Sequence, residues 1–207
     1  MRRDPKGIQG ISSREVSVVA DSTTTDSADE NLLYLMLAPP EDIHAMNIAV
    51  VKKMLGQGCT PLIITVNQPY KVLTKIYAKE GIDSSKFYVI DAVTQYSGGV
   101  CEENPRVKYI NNPSNLTDLG IVISEIIPQL PGTKKCIMFD SVSMLLIHTP
   151  SVTASKFFHF VVNKLKLSEV SGIFLCVEKG LDPVILSQMS SFVDKIVDFE
   201  PEITTKL

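Results

Sequence analysis

The sequence has few cysteines, no clustered positive charge and no long apolar run, and each absence excludes a class of protein. The 20 Lys and Arg residues are dispersed and the net charge is −3, which argues against a nucleic-acid-binding protein. No apolar run approaches the ~20 residues of a membrane span. The N-terminal stretch MRRDPKGIQGISS has no signal-peptide apolar segment. We therefore expect a soluble, cytoplasmic protein that binds neither membranes nor nucleic acid.

The spacing of the four cysteines argues against two kinds of cysteine site. Cys59, Cys101, Cys136 and Cys176 are far apart and form no C-x-x-C pair, so neither a zinc site nor a disulfide framework is indicated. Cys136 and Cys176 lie inside apolar runs, which is typical of buried, reduced thiols. His44, His148 and His159 likewise show no metal-ligand spacing.

What the chain has in quantity is core-forming sequence. A chain of 207 residues with 44% hydrophobic content can bury a full core, and one domain is expected. Residues 1–30 are rich in Ser, Thr, Asp and Arg and cannot bury enough apolar surface to offset their ordering. We predict a flexible tail over 1–30, in which VSVVA (16–20) could pair as an edge strand, a single domain over 31–200, and a short tail over 201–207.

From Asn31 onward, predicted strands alternate with predicted helices. The strands are expected at 32–37, 61–66, 86–92, 107–110, 134–141, 172–178 and 195–199. The helices are expected at about 40–55, 69–80, 115–127, 151–168 and 182–191. The strands are short continuous apolar runs, which is the pattern of a sheet covered on both faces. The sequence therefore predicts a three-layer α/β fold, with a mostly parallel sheet between two helical layers.

Ligands of such sheets bind at the carboxyl ends of the strands, and there the sequence resembles a known family. The strand KKCIMFD ends in Asp140 and Ser141 and resembles the Walker B strand of RecA-type ATPases of the KaiC/RadA-like branch. Four further stretches resemble later elements of that family in the same order: IYAKEGIDSSKFYVIDA, NPSNLTDLGIVISEII, FFHFVVNKLKLSEVSGIFLCVE and FVDKIVDFE. The resemblance covers roughly residues 31–200 and implies a RecA-like fold, with ATP binding and hydrolysis between subunits as the family's usual activity.

The resemblance places a P-loop on the turn after the first strand. The eight positions that correspond to G-x-x-x-x-G-K-[ST] are Ala38, Pro39, Pro40, Glu41, Asp42, Ile43, His44 and Ala45. A working P-loop needs glycine for close backbone approach, Lys for the phosphate oxygens and a hydroxyl for Mg²⁺. Ile43, His44 and Ala45 stand at those last three positions and supply none of these functions.

The charge of this turn and the residues after the second strand point the same way. Glu41 and Asp42 are expected in the first helical turn, where they satisfy the helix dipole. A phosphate ~5 Å from such a carboxylate would meet a repulsion on the order of 3 kcal/mol. Asn67 and Gln68 stand where the family carries an acidic base, and an amide cannot accept a proton at useful pH. Asp140 alone keeps the expected type, although capping of the following turn would explain it equally well.

A receiver-like domain is an alternative explanation of the same acidic residues. Glu41 with Asp42, then Asp91 and Lys179, mimic the acidic pair, the aspartate and the lysine of that fold. The chain has more strand-helix units than a receiver needs, however, and a polar loop instead of a compact helix follows Asp91.

The leading hypothesis is a non-catalytic KaiC/RecA-like protein without ATPase activity or cofactor. It would act as a regulatory or protein-interaction module through a protein partner or self-association. The alternative is a nucleotide-binding sensor or weak ATPase with an altered phosphate site, in which ATP binds with Mg²⁺ held by Asp140. That alternative needs a positive group near Glu41, and the nearby Lys52 and Lys53 are expected to face solvent.

Overall fold

A computed structural model of the protein describes residues 31–177, 179 and 181–199. Within them, strands and helices alternate along the chain. The strands are β1 (Leu33–Ala38), β2 (Thr60–Thr65), β3 (Tyr88–Asp91), β4 (Val107–Tyr109), β5 (Lys135–Asp140), β6 (Ser171–Val177) and β7 (Lys195–Asp198). The α-helices are α1 (Ile43–Gly56), α2 (Tyr70–Lys79), α3 (Leu116–Gln129), α4 (Val142–His148), α5 (Ser151–Leu167) and α6 (Pro183–Phe192). The two predicted tails and the predicted strand at 16–20 lie outside the described residues.

The seven strands form one sheet in the order β4-β3-β2-β5-β6-β1-β7. Every neighbouring pair is parallel, so all carboxyl ends lie along one edge. Strand β6 separates β1 from β5, and β5 pairs directly with β2. The turns after β1, β2 and β5 therefore lie near one another on the carboxyl edge.

Helices cover both faces of the sheet, which confirms the predicted three-layer α/β fold. Helices α3 to α6 enclose one core, which contains Ile123, Leu145, Phe158 and Ile185. Helices α1 and α2 enclose the other core with side chains such as Val50. All six residues of β1 are buried, because side chains on both sides of the strand pack under a helical layer. None of the helices in the described part of the chain is long and apolar enough to cross a membrane.

Two details differ from the sequence prediction. Helix α1 begins at Ile43 and not at 40, because residues 40–42 form a turn in which the Asp42 N–H donates to the Pro39 carbonyl at 3.0 Å. Glu41 and Asp42 thus precede the helix, and the expectation that they occupy its first turn is wrong. Helix α4 stands where the sequence predicts only a turn; it forms because Val142 and Leu145 bury one side of it.

The close approach of β6 to its neighbours gives a prediction about Gly172. A Cβ atom at this position would lie 2.7 Å from Leu165 Cδ1 and 2.9 Å from Leu33 Cδ2. We expect Gly172→Ala to lower the free energy of unfolding by roughly 1–2 kcal/mol, because the core must shift to admit the methyl group.

Urea unfolding measures this effect, and Gly56→Ala is the matched control. At Gly56, the last residue of α1, an added Cβ meets nothing within 4 Å, so its free energy of unfolding should hold or rise slightly. Equal stability of the two variants would contradict the packing argument.

Candidate functional site

The turn that resembles a P-loop joins β1 to α1. Ala38 is the last, buried residue of β1, whereas Pro40 and Glu41 are exposed. Asp42 occupies the N-cap position, but its side chain makes no capping hydrogen bond. Successive prolines disfavour helical backbone at Ala38 and Pro39, and a turn over residues 40–42 follows before the helix starts at Ile43.

The turn after β2 reaches the start of α1. Gln68 Nε2 lies 3.0 Å from His44 Nε2, so the P-loop-like turn and the turn after β2 are neighbours in space. Thr65 fixes this second turn, because its hydroxyl donates to the Gln68 carbonyl at 2.8 Å and accepts from the Gln68 N–H at 3.1 Å. Gln68 Oε1 is buried without a hydrogen-bond partner. Asn67, beside it, is half-buried, and Ala45 is exposed.

Asp140 lies at the end of β5 and is only 4% exposed. Its Oδ2 accepts a hydrogen bond of 2.9 Å from Asn47 Nδ2. The Tyr77 hydroxyl of α2 in turn donates to Asn47 Oδ1 at 2.7 Å. The three side chains form a buried polar chain that links β5, α1 and α2. Asn47 lies one helical turn after His44, so this network of three side chains lies beneath the P-loop-like turn.

Burial sets the electrostatics of this network. It raises the pKa of Asp140 to about 6, because the charged carboxylate is poorly solvated, and the Asn47 hydrogen bond opposes the rise. The pKa of Tyr77 is also raised, first by burial and then by the charge of Asp140. An ionised Asp140 therefore has few solvent contacts and one strong hydrogen-bond donor. That donor is the Asn47 side-chain amide, which holds the carboxylate in place.

Ser141 is the buried residue that precedes α4. It is 1% exposed, and its peptide bond with Asp140 is cis. Its hydroxyl lies 3.1 Å from that of Ser143, which also accepts a hydrogen bond of 3.1 Å from the Val177 N–H at the end of β6. The two serines thereby connect the start of α4 to β6.

The carboxylate of Asp91 accepts several hydrogen bonds from neighbouring groups of the protein. It accepts from the Tyr70 N–H at 2.7 Å, from the Val93 and Thr94 N–H groups at 2.8 Å each, and from the Thr94 hydroxyl. These donors tie the end of β3 to the start of α2. Since Asp91 is fully buried, it has no open position for phosphoryl transfer, which counts against the receiver-like alternative. Lys179, the lysine of that alternative, is exposed and follows β6.

Sequence reasoning identified His44, Gln68 and Asp140 but missed Asn47 and Tyr77. The signal for Asn47 was an amide between Met46 and Ile48 in the apolar stretch of α1, where a buried polar side chain needs a partner. Among the described residues, no group of three or more His, Cys, Asp or Glu side chains is arranged to hold a metal ion. Lys52 is exposed and pairs with Glu80 at 2.9 Å, away from the turn.

A second feature is a groove between α3 and α5, on the other helical layer. It has a volume of about 630 Å³. Its walls include Gly120 and Ile121 from α3 and Phe157 and Phe160 from α5. Ile121 is 50% and Phe160 45% exposed, so the groove presents apolar surface to solvent.

The fold and site define a three-layer α/β protein whose carboxyl edge carries a buried Asp-Asn-Tyr network. The family model described as "Family of unknown function (DUF7504)" matches residues 48–199, and the chain belongs to this family. The match begins just after Asn47, so it leaves out the P-loop-like turn.

Other comparisons bear on the fold. No curated protein matches the chain. A similar solved structure is that of an uncharacterized protein from Pyrococcus horikoshii in complex with an unknown peptide. It has a TM-score of 0.65 and 12% identity, and the alignment covers 82% of this chain and 77% of that chain. At this identity the likeness shows the fold alone.

Proposed function

We propose that this protein is a non-catalytic, KaiC/RecA-like module that acts through protein interaction and does not hydrolyse ATP. The observation that carries the proposal is the Asp140 carboxylate, which is buried and bound to Asn47. A magnesium-binding aspartate must present its oxygen atoms to the ion and its waters. Here the Asn47 amide is bonded to the carboxylate that the ion would need. The P-loop-like turn supplies neither Lys nor a hydroxyl.

The charges around the turn support the same proposal. Glu41 is exposed beside the start of α1, where a bound triphosphate would lie. The lysine nearest along α1, Lys52, is engaged with Glu80. A triphosphate would therefore meet a carboxylate without a compensating cation from α1, and binding would be opposed by Coulomb repulsion.

The interaction role is supported by the groove between α3 and α5. The exposed apolar side chains Ile121 and Phe160 in this groove are the surface through which we propose that a partner protein is contacted. The similar Pyrococcus horikoshii protein was crystallised in complex with an unknown peptide, and peptide binding fits an interaction module.

A nucleotide-binding sensor is the second candidate, and one observation favours it. Gln68 Oε1 is a buried acceptor without a partner, next to His44 at the carboxyl edge. A ligand with a donor group, such as a base or a hydrated cation, would satisfy it. Lys179 follows β6, between β1 and β5 in the sheet, and would be the cation for a phosphate.

A thermal-shift titration with ATP and ADP, with and without Mg²⁺, separates the two candidates. A ligand at 100 times its Kd stabilises the folded state by about 2.7 kcal/mol, which raises Tm by roughly 5–10 °C for a chain of this size. We expect a shift below about 1 °C at millimolar nucleotide. A dose-dependent rise in Tm would overturn the proposal in favour of the sensor.

The matched control is a variant that rebuilds the P-loop: Glu41→Gly, Ile43→Gly, His44→Lys and Ala45→Thr. If the resemblance to the KaiC/RadA-like branch is correct, this variant should show a nucleotide-dependent Tm rise that the native chain lacks. A well-folded variant without any such rise would count against the alignment of this turn with a P-loop.

A further inference from the structure

Two cysteines that are distant in sequence lie on neighbouring strands beneath α1 and α2. Cys59 directly precedes β2, and Cys136 is the second residue of β5. In the parallel register of these strands, Thr60 lies opposite Lys135 and Pro61 opposite Cys136. Cys136 belongs to the core beneath α1 and α2, and Cys59 packs against the same core. The register and shared core place both thiols on one face of the sheet.

The two thiols differ in access. Cys136 is only 2% exposed, whereas Cys59 is half-buried at the turn between α1 and β2. The two thiols are close enough for each to change the ionisation of the other. The interaction with Cys136, with the nearby charge of Lys134, lowers the pKa of Cys59 to about 7 against the opposing effect of burial, while the pKa of Cys136 is raised. Cys59 is thus the nucleophile that solvent reaches, and Cys136 is the thiol held behind it.

The other two cysteines lack this arrangement. Cys101 is exposed in the loop between β3 and β4, and Cys176 is buried in the core on the opposite face of the sheet. A thiol on the opposite face cannot meet Cys59 or Cys136 without unfolding the sheet. They are therefore internal controls for exposure and for burial.

We propose that Cys59 and Cys136 form a thiol-oxidation site that closes to a reversible disulfide in response to a hydroperoxide such as hydrogen peroxide. The Cys59 thiolate attacks one peroxide oxygen, the O–O bond breaks, and the departing hydroxide takes a proton to become water. This step leaves a sulfenic acid on Cys59. The Cys136 sulfur then attacks the Cys59 sulfur, and the S–O bond breaks as hydroxide leaves with the Cys136 proton. In total, two thiols and one peroxide give one disulfide and two waters.

Position explains why this pair suits a switch. The sulfur atoms must approach to the ~2.05 Å of an S–S bond. Cys136 is fixed within β5, so Cys59, outside the regular strand, supplies the movement. In a reducing compartment a half-exposed disulfide of this kind is transient, which is the behaviour of redox-sensing pairs.

The test treats the full-length reduced protein with hydrogen peroxide, then denatures it in maleimide and maps peptides by mass spectrometry without reduction. We expect loss of maleimide labelling at both Cys59 and Cys136, a linked peptide that contains both, and recovery of both labels after dithiothreitol. Cys101→Ser and Cys176→Ser should leave the linked peptide unchanged, whereas Cys59→Ser should abolish it.

Several results would overturn the proposal. These are full labelling of both cysteines after peroxide, a Cys59 sulfinic acid without any bridge, or a bridge to Cys101 instead. Cys136→Ser changes a buried position and could fail to fold. Peptide mapping of the native chain decides the outcome without Cys136→Ser. Cys136→Ala provides a second variant at the same position.

Discussion

Replacing Asp140 with asparagine should raise the free energy of unfolding by about 2 kcal/mol at pH 7 and leave it nearly unchanged at pH 4. The folded-state pKa of Asp140 is about 6, above the ~3.9 of an unfolded chain. Between these values the folded protein binds the proton more tightly, so stability is greatest below about pH 4 and is lost as pH rises to about 6. This difference in pKa corresponds to roughly 3 kcal/mol. The extra amide hydrogens of asparagine reduce the gain.

The measurement is urea unfolding of both proteins at pH 4 and pH 7. Asp198→Asn, on an exposed residue of β7, controls for the loss of one negative charge. The native chain and this control should lose stability between the two pH values relative to Asp140→Asn. A lower stability of Asp140→Asn at pH 7 would show that the fold stabilises the ionised carboxylate, and would refute the conclusion that burial of this charge is destabilising.

Replacing Asn47 with leucine should lower the free energy of unfolding by roughly 3 kcal/mol at pH 7. The substitution removes the donor to Asp140 and the acceptor of the Tyr77 hydroxyl at once. Both groups are buried, so bulk solvent does not replace the lost amide. At pH 4 the carboxyl group is neutral, so we expect about half of this loss.

Chemical unfolding of Asn47→Leu, of Asp140→Asn and of the double variant separates the contribution of the charge. Leucine at position 47 should be better tolerated when Asp140 is already asparagine, because no buried charge then loses its donor. Tyr77→Phe is a milder control that leaves only Asn47 Oδ1 without its donor, with an expected loss of about 1 kcal/mol. If the changes in the free energy of unfolding from the two single variants are strictly additive in the double variant, Asn47 and Asp140 are not coupled.

Together these two predictions concern what occupies the P-loop-like end of the sheet. If both hold, the space beneath the turn is a structural network whose charge destabilises the fold at neutral pH. A ligand that needs Asp140 would have to compete with Asn47 for the carboxylate. This competition is a physical reason to expect weak nucleotide binding, separate from the missing Lys and hydroxyl of the turn.

Much of the fold follows from the sequence. Continuous apolar runs such as LLYLML can be buried only between two helical layers, and helices separate successive strands along the chain. These facts predict a three-layer, mostly parallel sheet, and the carboxyl edge as the place to look. The sequence also places His44, Gln68 and Asp140 on that edge, because each lies at or shortly after the carboxyl end of a strand.

The contacts on that edge depended on strand order and register, which the sequence alone does not reveal. Asn47 and Asp140 are 93 residues apart in the chain, and Cys59 meets Cys136 only because β2 pairs with β5. The start of α1 also depended on the backbone. A turn over residues 39–42 takes up the first positions that local propensity assigns to the helix. Local sequence determined which residues are apolar, helical or extended; the tertiary structure decided which polar side chains share one buried space, because that depends on packing between elements distant in the chain.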